Sequence, residues 1–242
     1  MEIIIGFIVG IISGLLGIGG GIVLVPILTV MSYTLTQAIS ISIFTMLITS
    51  LFGSVMNFHK DKTHLKDGII IGLGAFIGGT QSTIIQHMLK EEYMWYIMLS
   101  VLFFSLLKLL LEPPLKDIKE GKNHNLFLLF VIGFLVSLLG MSLGIGGAII
   151  LVPLLITILK YDLKSATELG LLYILFASFG AFISQIIDNN IYLKESLIIT
   201  FFSILGLIIG TKIKKGIDPN ILKNMLLGLN LLLIIVVITK II

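Results

Sequence analysis

The chain has 242 residues, 57% of them hydrophobic and only 12% charged, with a mean hydropathy of +1.15. Soluble domains carry roughly 25% charged residues, so a water-soluble enzyme or binding module is excluded. The net charge of +3 comes from 16 basic residues, all lysine, set in short stretches between apolar runs. That is a membrane-topology pattern and no nucleic-acid patch, while the absence of cysteine removes disulfides and thiol chemistry.

The first apolar segment, about residues 3–31, exceeds the roughly 20 residues of one straight span. No Asp, Glu, Lys or Arg occurs between Ile3 and His59. Glu2 stands where a signal peptide would carry basic residues, and no small-residue cleavage site follows, so the segment is expected to be kept. Ordinary spans follow at about 36–58, 67–89 and 93–111. The charged, proline-bearing stretch 112–125 reads as a connecting loop. A second long segment covers about 126–159, and further spans lie at about 164–187, 193–212 and 221–241. The expected fold is therefore an all-α polytopic membrane protein. A first membrane repeat occupies 1–111 and a second 126–242, each with one broken or re-entrant segment plus three transmembrane helices.

The halves are copies. Residues 5–28 match 132–155 without gaps, with 14 of 24 positions identical. One inserted residue later the register continues, pairing Ala38 with Ala166, Lys66 with Lys194, Gly78 with Gly206 and Thr83 with Thr211. The lysines then choose between two topologies. If each long segment crosses once, the lysines divide nine against seven. If each enters and returns on one side, thirteen share a side and only Lys90, Lys194 and Lys240 lie opposite. The positive-inside rule favours the second arrangement. It places both termini outside and makes the repeats inverted, a recurring transporter design.

Each long segment carries a glycine-rich break: Gly17, Gly19, Gly20 and Gly21 before Pro26, and Gly144, Gly146, Gly147 and Ala148 before Pro153. Irregular backbone survives at membrane depth only when buried in protein or facing a water-filled cavity. Glycine permits positive φ, and proline is expected near the start of a returning half-helix. Helix N-termini expose free N–H groups and attract anions. Two breaks meeting near the midplane could hold an oxyanion without any buried basic residue. Helix packing through small residues is the competing reading, and it suits the four-residue spacing of Gly6, Gly10 and Gly14. A dinucleotide fingerprint fits poorly, because Ile22 occupies the third glycine position and no βαβ unit surrounds it.

Gly10-xxx-Gly14-xx-Gly17-x-Gly19-Gly20-Gly21 followed by Pro26, repeated in the second half, resembles the sulfite exporter TauE/SafE family of small bacterial membrane transporters for sulfur-containing anions. The resemblance covers the whole chain in length, span count and duplication. It implies sulfur oxyanions such as sulfite and sulfonates as cargo. The second copy departs from the first, with Ala148 for Gly21 and Gly140 one position from the Gly14 equivalent. The two breaks are thus expected to be unequal.

Ser42, Thr45, Thr49 and Gly53 form a stripe at helical spacing, answered in the other half by Gly170, Tyr173, Ala177 and Ala181. The stripe reads as small-residue packing or as a polar cavity wall. Asn57 and its counterpart Gln185 lie near span ends. Glu168 is the acidic residue closest to a span interior and a candidate proton relay. Ser165-x-x-Glu168 is also a capping box, and Lys164 can pair with Glu168. His59, His64, His87 and His124 sit at or near loops without metal-ligand spacing, and read as solvated.

The expected function is a secondary transporter or permease for small sulfur-containing or organic anions, working by alternating access without a cofactor. A passive anion or small-solute channel is the alternative, and a non-transporting membrane scaffold a third reading. An enzyme is disfavoured, since no nucleophile–base pair or metal constellation lies within the spans. The expected partners are a small anion, the lipid bilayer and a second copy in a homo-oligomer. The expected location is a bacterial plasma membrane.

Overall fold

A computed structural model describes residues 1–17, 19–58, 64–111, 125–214 and 216–241. His59, His124 and all of the expected joining loop except Asn125 fall outside the described residues. Within them the first repeat forms α1 (Glu2–Leu16), α2 (Gly21–Val30), α3 (Leu35–Phe58), α4 (Leu65–Thr80), α5 (Ser82–Met88) and α6 (Glu91–Leu111). The second forms α7 (Leu126–Ser142), α8 (Ala148–Thr157), α9 (Leu163–Ile187), α10 (Leu193–Lys214) and α11 (Pro219–Ile241). Six stretches are long and apolar enough to cross a membrane: Leu35–Met56, Leu65–Met88, Glu91–Leu111, Ser165–Ile187, Leu193–Lys214 and Asn220–Ile241. They fall on the six ordinary spans expected from the sequence.

One span differs. The helix expected over 67–89 is interrupted at Gln81, whose N–H reaches back to Gly78 O at 3.2 Å. Adjacent glycines, here Gly78 and Gly79, are a known cause of such kinks. Both glycines are also buried against neighbouring helices, so the bend serves packing as well.

The bundle has an apolar core of Ile, Leu, Val and Met, a large apolar outer surface, and small residues where helices come closest. Leu197, Phe201, Leu205, Ile209 and Ile213 make an exposed stripe along α10, and Ile69, Leu73 and Ile77 make its counterpart on α4. The buried faces carry glycine, alanine, serine and threonine, the residues that let membrane helices approach closely. Along α1, Gly6 faces Ile199, Gly10 faces Ser203 and Gly14 faces Leu207 of α10. A Cβ on Gly6 would stand 2.5 Å from Ile199 O, so these glycines pack backbone on backbone. Gly74, Gly78 and Gly133 make the matching contact between α4 and α7.

Pairings along the helices fix their directions. Ser40 bonds to Asn190 O, Phe44 meets Phe182, and Gly53 meets Leu171, so α3 and its counterpart α9 run antiparallel. Gly68 meets Leu172, Gly72 meets Phe176, and Thr83 meets Ser184, so α4 runs parallel to α9. Each repeat therefore leans on the other: α1 packs chiefly on α10, and α7 chiefly on α4.

The long segments are hairpins. Tyr33, just past α2, donates to Glu2 Oε1 at 2.8 Å, so the chain returns to the end of the bundle where α1 began. Lys240 donates to Thr29 O at 2.9 Å at that same end. In the second repeat, Tyr161 follows α8 and donates to Asp67 Oδ2 at 2.6 Å, beside the start of α4. The start of α7 lies at this end too, because α7 runs parallel to α4. An α-helix rises about 1.5 Å per residue, so the ten-residue α2 and α8 cover about half of a ~30 Å hydrocarbon core.

Candidate functional site

Three glycines in each break adopt left-handed backbone: Gly17, Gly19 and Gly20 at φ 70°, 75° and 72°, and Gly144, Gly146 and Gly147 at φ 67°, 85° and 74°. The two sets are offset by 127 residues, so both breaks share one backbone path. An L side chain in this region costs roughly 1–2 kcal/mol per residue, which explains the glycines. Gly21 does not belong to the set. It is the first residue of α2, as Ala148 is of α8. The glycine-to-alanine difference thus falls where no positive φ is needed. What differs is space: a Cβ on Gly21 would lie 2.8 Å from both Gly144 O and Ser42 Oγ. Opposite Ala148 the second repeat instead carries Gly170, the counterpart of Ser42.

Pro26 and Pro153 do not start the returning helices. Each sits at the sixth position of its helix. There proline removes the N–H that would bond four residues back, freeing the carbonyl of Ile22 or Ile149. Ser105 of α6 donates to Ile149 O at 2.9 Å and satisfies it. Thr29 and Thr157 in turn donate to Pro26 O and Pro153 O at 2.9 and 2.8 Å.

The tips of the hairpins meet in the middle of the bundle. Gly21 abuts Gly144 O, and both lie beside Ser42 and Ile39 of α3. Gly17 rests on Thr167 and Gly170 of α9, and Gly19 on Ile174. Every described residue of 17–26 and 140–153 is buried. The N–H groups of Gly20 and Gly21, and of Gly147, Ala148 and Ile149, find no hydrogen-bond acceptor among the described residues. These are the open donors of a helix start, held here away from water. Two helix N-termini, each equivalent to roughly half a positive charge, are therefore buried where the hairpin tips meet, and the nearest neighbours of the tip glycines among the described residues include no lysine.

Of the polar stripe on α3, only Ser42 reaches a break, where its hydroxyl donates to Gly144 O at 2.7 Å. Thr45 and Thr49 bond back to Ile41 O and Thr45 O at 2.8 and 2.7 Å. Thr45 Oγ1 also accepts from Thr200 at 3.1 Å. Those two hydroxyls are spent on helix backbone and packing. Two residues outside the expected set stand closer to the breaks. Tyr173 of α9, the counterpart of Thr45, is wholly buried, and its hydroxyl occupies the space that a side chain on Gly147 would need. Ser13 of α1, 1% exposed, lies against Gly20. Neither hydroxyl has a hydrogen-bond partner among the described residues. The signal for Tyr173 was present in the sequence, as a phenol where the first repeat has threonine.

Glu168 is half-buried in the second turn of α9, next to the Thr167 that meets Gly17. Ser165 is no cap. Its N–H donates to Asp162 Oδ1 at 3.0 Å, so Asp162 caps α9 and Ser165 lies inside the helix. His87 is exposed as expected, whereas His64 is half-buried. His87 Nε2 lies 2.5 Å from Asp188 Oδ2 across the repeats, and His64 packs edge-on to the Tyr161 ring. Next to the His87 pair, Gln185 is buried and donates to Gln86 at 3.3 Å. An apolar cavity of about 430 Å³ lies away from the breaks, between Leu47, Ile48 and Leu51 of α3 and Leu175, Phe176 and Phe179 of α9.

Six apolar spans enclosing two hairpins whose tips meet inside the bundle are the architecture of a polytopic membrane protein. The chain belongs to the family described as Sulfite exporter TauE/SafE, which it matches over residues 2–237. It is similar to the protein named "Probable membrane transporter protein MJ0441" of Methanocaldococcus jannaschii, with 28% identity covering 93% of this chain and 90% of that one. It is also similar to "Probable membrane transporter protein YunE" of Bacillus subtilis, at 25% identity over 78% of each chain. "Probable membrane transporter protein YdhB" of the same organism is 21% identical, over 93% of this chain and 94% of its own. No solved structure matches.

Proposed function

We propose that the protein is a secondary transporter for small oxyanions of the sulfite and sulfonate class, working by alternating access at the two meeting breaks. The observation that carries this reading is the pair of buried helix N-termini with open N–H groups. They offer hydrogen-bond donors and positive potential, the complement of an anion. The site is closed on both sides, so cargo reaches it only when one hairpin moves. The antiparallel course of α3 and α9 supports repeats of opposite orientation, each of which can open toward its own side.

Lys66, Lys108, Lys160, Lys164, Lys212, Lys214 and Lys223 belong to the end of the bundle where α4 and α7 begin, while Lys90, Lys194 and Lys240 belong to the other. The positive-inside rule makes the lysine-rich end cytoplasmic, with the termini outside in a bacterial plasma membrane.

The test is uptake by purified protein in liposomes, across sulfite, methanesulfonate, thiosulfate and acetate. Saturable, counterflow-competent flux of the sulfur oxyanions is expected, and Gly20→Val and Gly147→Val abolish it without preventing insertion. Flux that is fast, unsaturable and without counterflow identifies a channel instead. Flux unchanged by both valine substitutions rejects the site.

A further inference from the structure

Tyr173 is a phenol at the centre of a membrane protein with nothing to bond. It is wholly buried on α9, midway along a 25-residue helix, and its hydroxyl lacks a partner among the described residues. The neighbouring Ser137 hydroxyl donates to Ala75 O at 2.6 Å and makes no hydrogen bond to Tyr173. An unsatisfied hydroxyl in hydrocarbon-like surroundings is unfavourable, and phenylalanine would fill the same volume without that cost. The hydroxyl is aimed at one place, the left-handed Gly147 that opens α8. There it joins the open N–H groups of Gly147, Ala148 and Ile149. The adjacent Ile174 touches Gly19 of the other break, so this stretch of α9 lies between the two hairpin tips.

We propose that the Tyr173 hydroxyl and the first-turn N–H groups of α8 form a donor-rich subsite that binds one oxygen of the transported oxyanion and sets its affinity. Ser13, buried and unpartnered beside Gly20, supplies the lesser donor on the α2 side. The inference rests on the transporter reading above and adds to it the residue that discriminates among anions. The subsite is unequal between the repeats, because Thr45 stands at the Tyr173 position in the first and spends its hydroxyl on Ile41 O. It favours a compact, fully ionised oxyanion over an ammonium ion, because the backbone N–H groups can only donate and the phenol can turn its proton toward an anion.

The experiment compares wild type, Tyr173→Phe, Ser13→Ala and the surface control Tyr96→Phe in liposomes, with radiolabelled sulfite and methanesulfonate as probes. Thermal midpoints are taken in detergent with and without sulfite. Tyr173→Phe is expected to raise the half-saturation concentration about 10- to 100-fold, the loss typical of a hydrogen bond to a charged acceptor. Its midpoint without sulfite should stay level or rise, and its stabilisation by sulfite should vanish. Ser13→Ala should give a smaller rise, and Tyr96→Phe none. Unchanged half-saturation in Tyr173→Phe, beside active wild type, overturns the subsite and leaves the transporter reading standing. A lowered midpoint with unchanged affinity, or failure of Tyr173→Phe to insert, assigns the hydroxyl to the fold and also overturns it. Wild type that neither moves nor binds either probe overturns the transporter reading, and the subsite falls with it.

Discussion

Replacing Gly147 with alanine tests whether the break is built on left-handed glycines. Alanine at φ 74° costs roughly 1–2 kcal/mol in backbone energy alone. Its Cβ would also lie 2.9 Å from Val136 O, a backbone atom that moves only if α7 moves. Overpacking of this kind costs about 1–3 kcal/mol, so the loss comes to about 2–5 kcal/mol. Gly228 on α11 is the control. It is helical, and nothing lies within 4 Å of a Cβ built on it. Alanine there should gain up to about 1 kcal/mol of helix propensity. The two alanine variants should therefore separate clearly in thermal midpoint, with wild type between them. Trp95 is the only tryptophan and is buried in α6, so its fluorescence reports unfolding in detergent. A Gly147→Ala protein as stable as Gly228→Ala would refute the argument. The glycines would then serve only to make room, and the breaks would need no special backbone.

Four further outcomes follow from particular contacts. Gly170→Ser places a hydroxyl near Gly17 O, which lies 3.3 Å from a Cβ built at that position; it should raise the midpoint through one added hydrogen bond, worth about 1 kcal/mol, and slow liposome flux, whereas a lowered midpoint would show that Ser42 has no equivalent role to copy. Reporter fusions at Lys240 and within 116–122 should fall on opposite sides of the membrane, and the same side for both would break the proposed topology. Tyr33 is pushed up to about 12 by burial first, then by its bond to Glu2 and the nearby Glu2 and Glu195 charges. The fold keeps this proton longer than the unfolded chain, whose tyrosines titrate near 10. Its contribution to stability is thus complete below about pH 10 and lost as pH rises to about 12; Tyr33→Phe should flatten that loss in alkaline unfolding curves, and an unflattened curve assigns it to other groups. Glu168→Gln should uncouple uptake from an imposed pH gradient while keeping its response to membrane potential, and an unaltered pH-gradient response removes Glu168 from proton transfer.

Composition and charge placement made the bundle legible. The six spans follow from windowed hydropathy, which depends on many residues at once and tolerates local errors. The hairpin form of the long segments followed from counting lysines, an argument that needs no knowledge of the turn itself. Local features were harder. Proline suggested a place near a helix start, yet Pro26 and Pro153 sit at the sixth position of their helices, and at Pro153 the freed carbonyl of Ile149 is satisfied by Ser105. That compensation lies 44 residues away in sequence and leaves no local trace. The Ser165 capping box lost to Asp162, because α9 begins at Leu163, one residue before the expected 164. Spacing alone left the stripe of Thr45 and Thr49 open between packing and a cavity wall; threonine in a helix can bond back to its own backbone, and both do. In the sequence Tyr173 shows only as a phenol at the position of Thr45 in the other repeat. Its missing hydrogen bond is a property of three dimensions.

The repeats also show that the constraint acts on pairs of residues more than on single positions. Gly10 on α1 packs against Ser203 on α10, whose hydroxyl donates to Gly6 O at 2.8 Å. At the matching contact of the other repeat the serine has changed helices: Ser137 on α7 donates to Ala75 O on α4 at 2.6 Å. The same exchange occurs at the break, where Gly21 with Ser42 is answered by Ala148 with Gly170. In both cases one partner stays minimal so that two backbones can approach, while the identity of the minimal partner is free. A position-by-position comparison scores each exchange as two differences, although the distance between the helices is preserved. The exception is the hydrogen bond from Ser42 to Gly144 O, which Gly170 cannot reproduce at Gly17. The tip of the second hairpin therefore has a side-chain tie to the opposite repeat, from Ser42, that Gly170 does not supply to the tip of the first. An inequality of that size, about 1 kcal/mol for one hydrogen bond, is enough to make the two hairpins open with different ease.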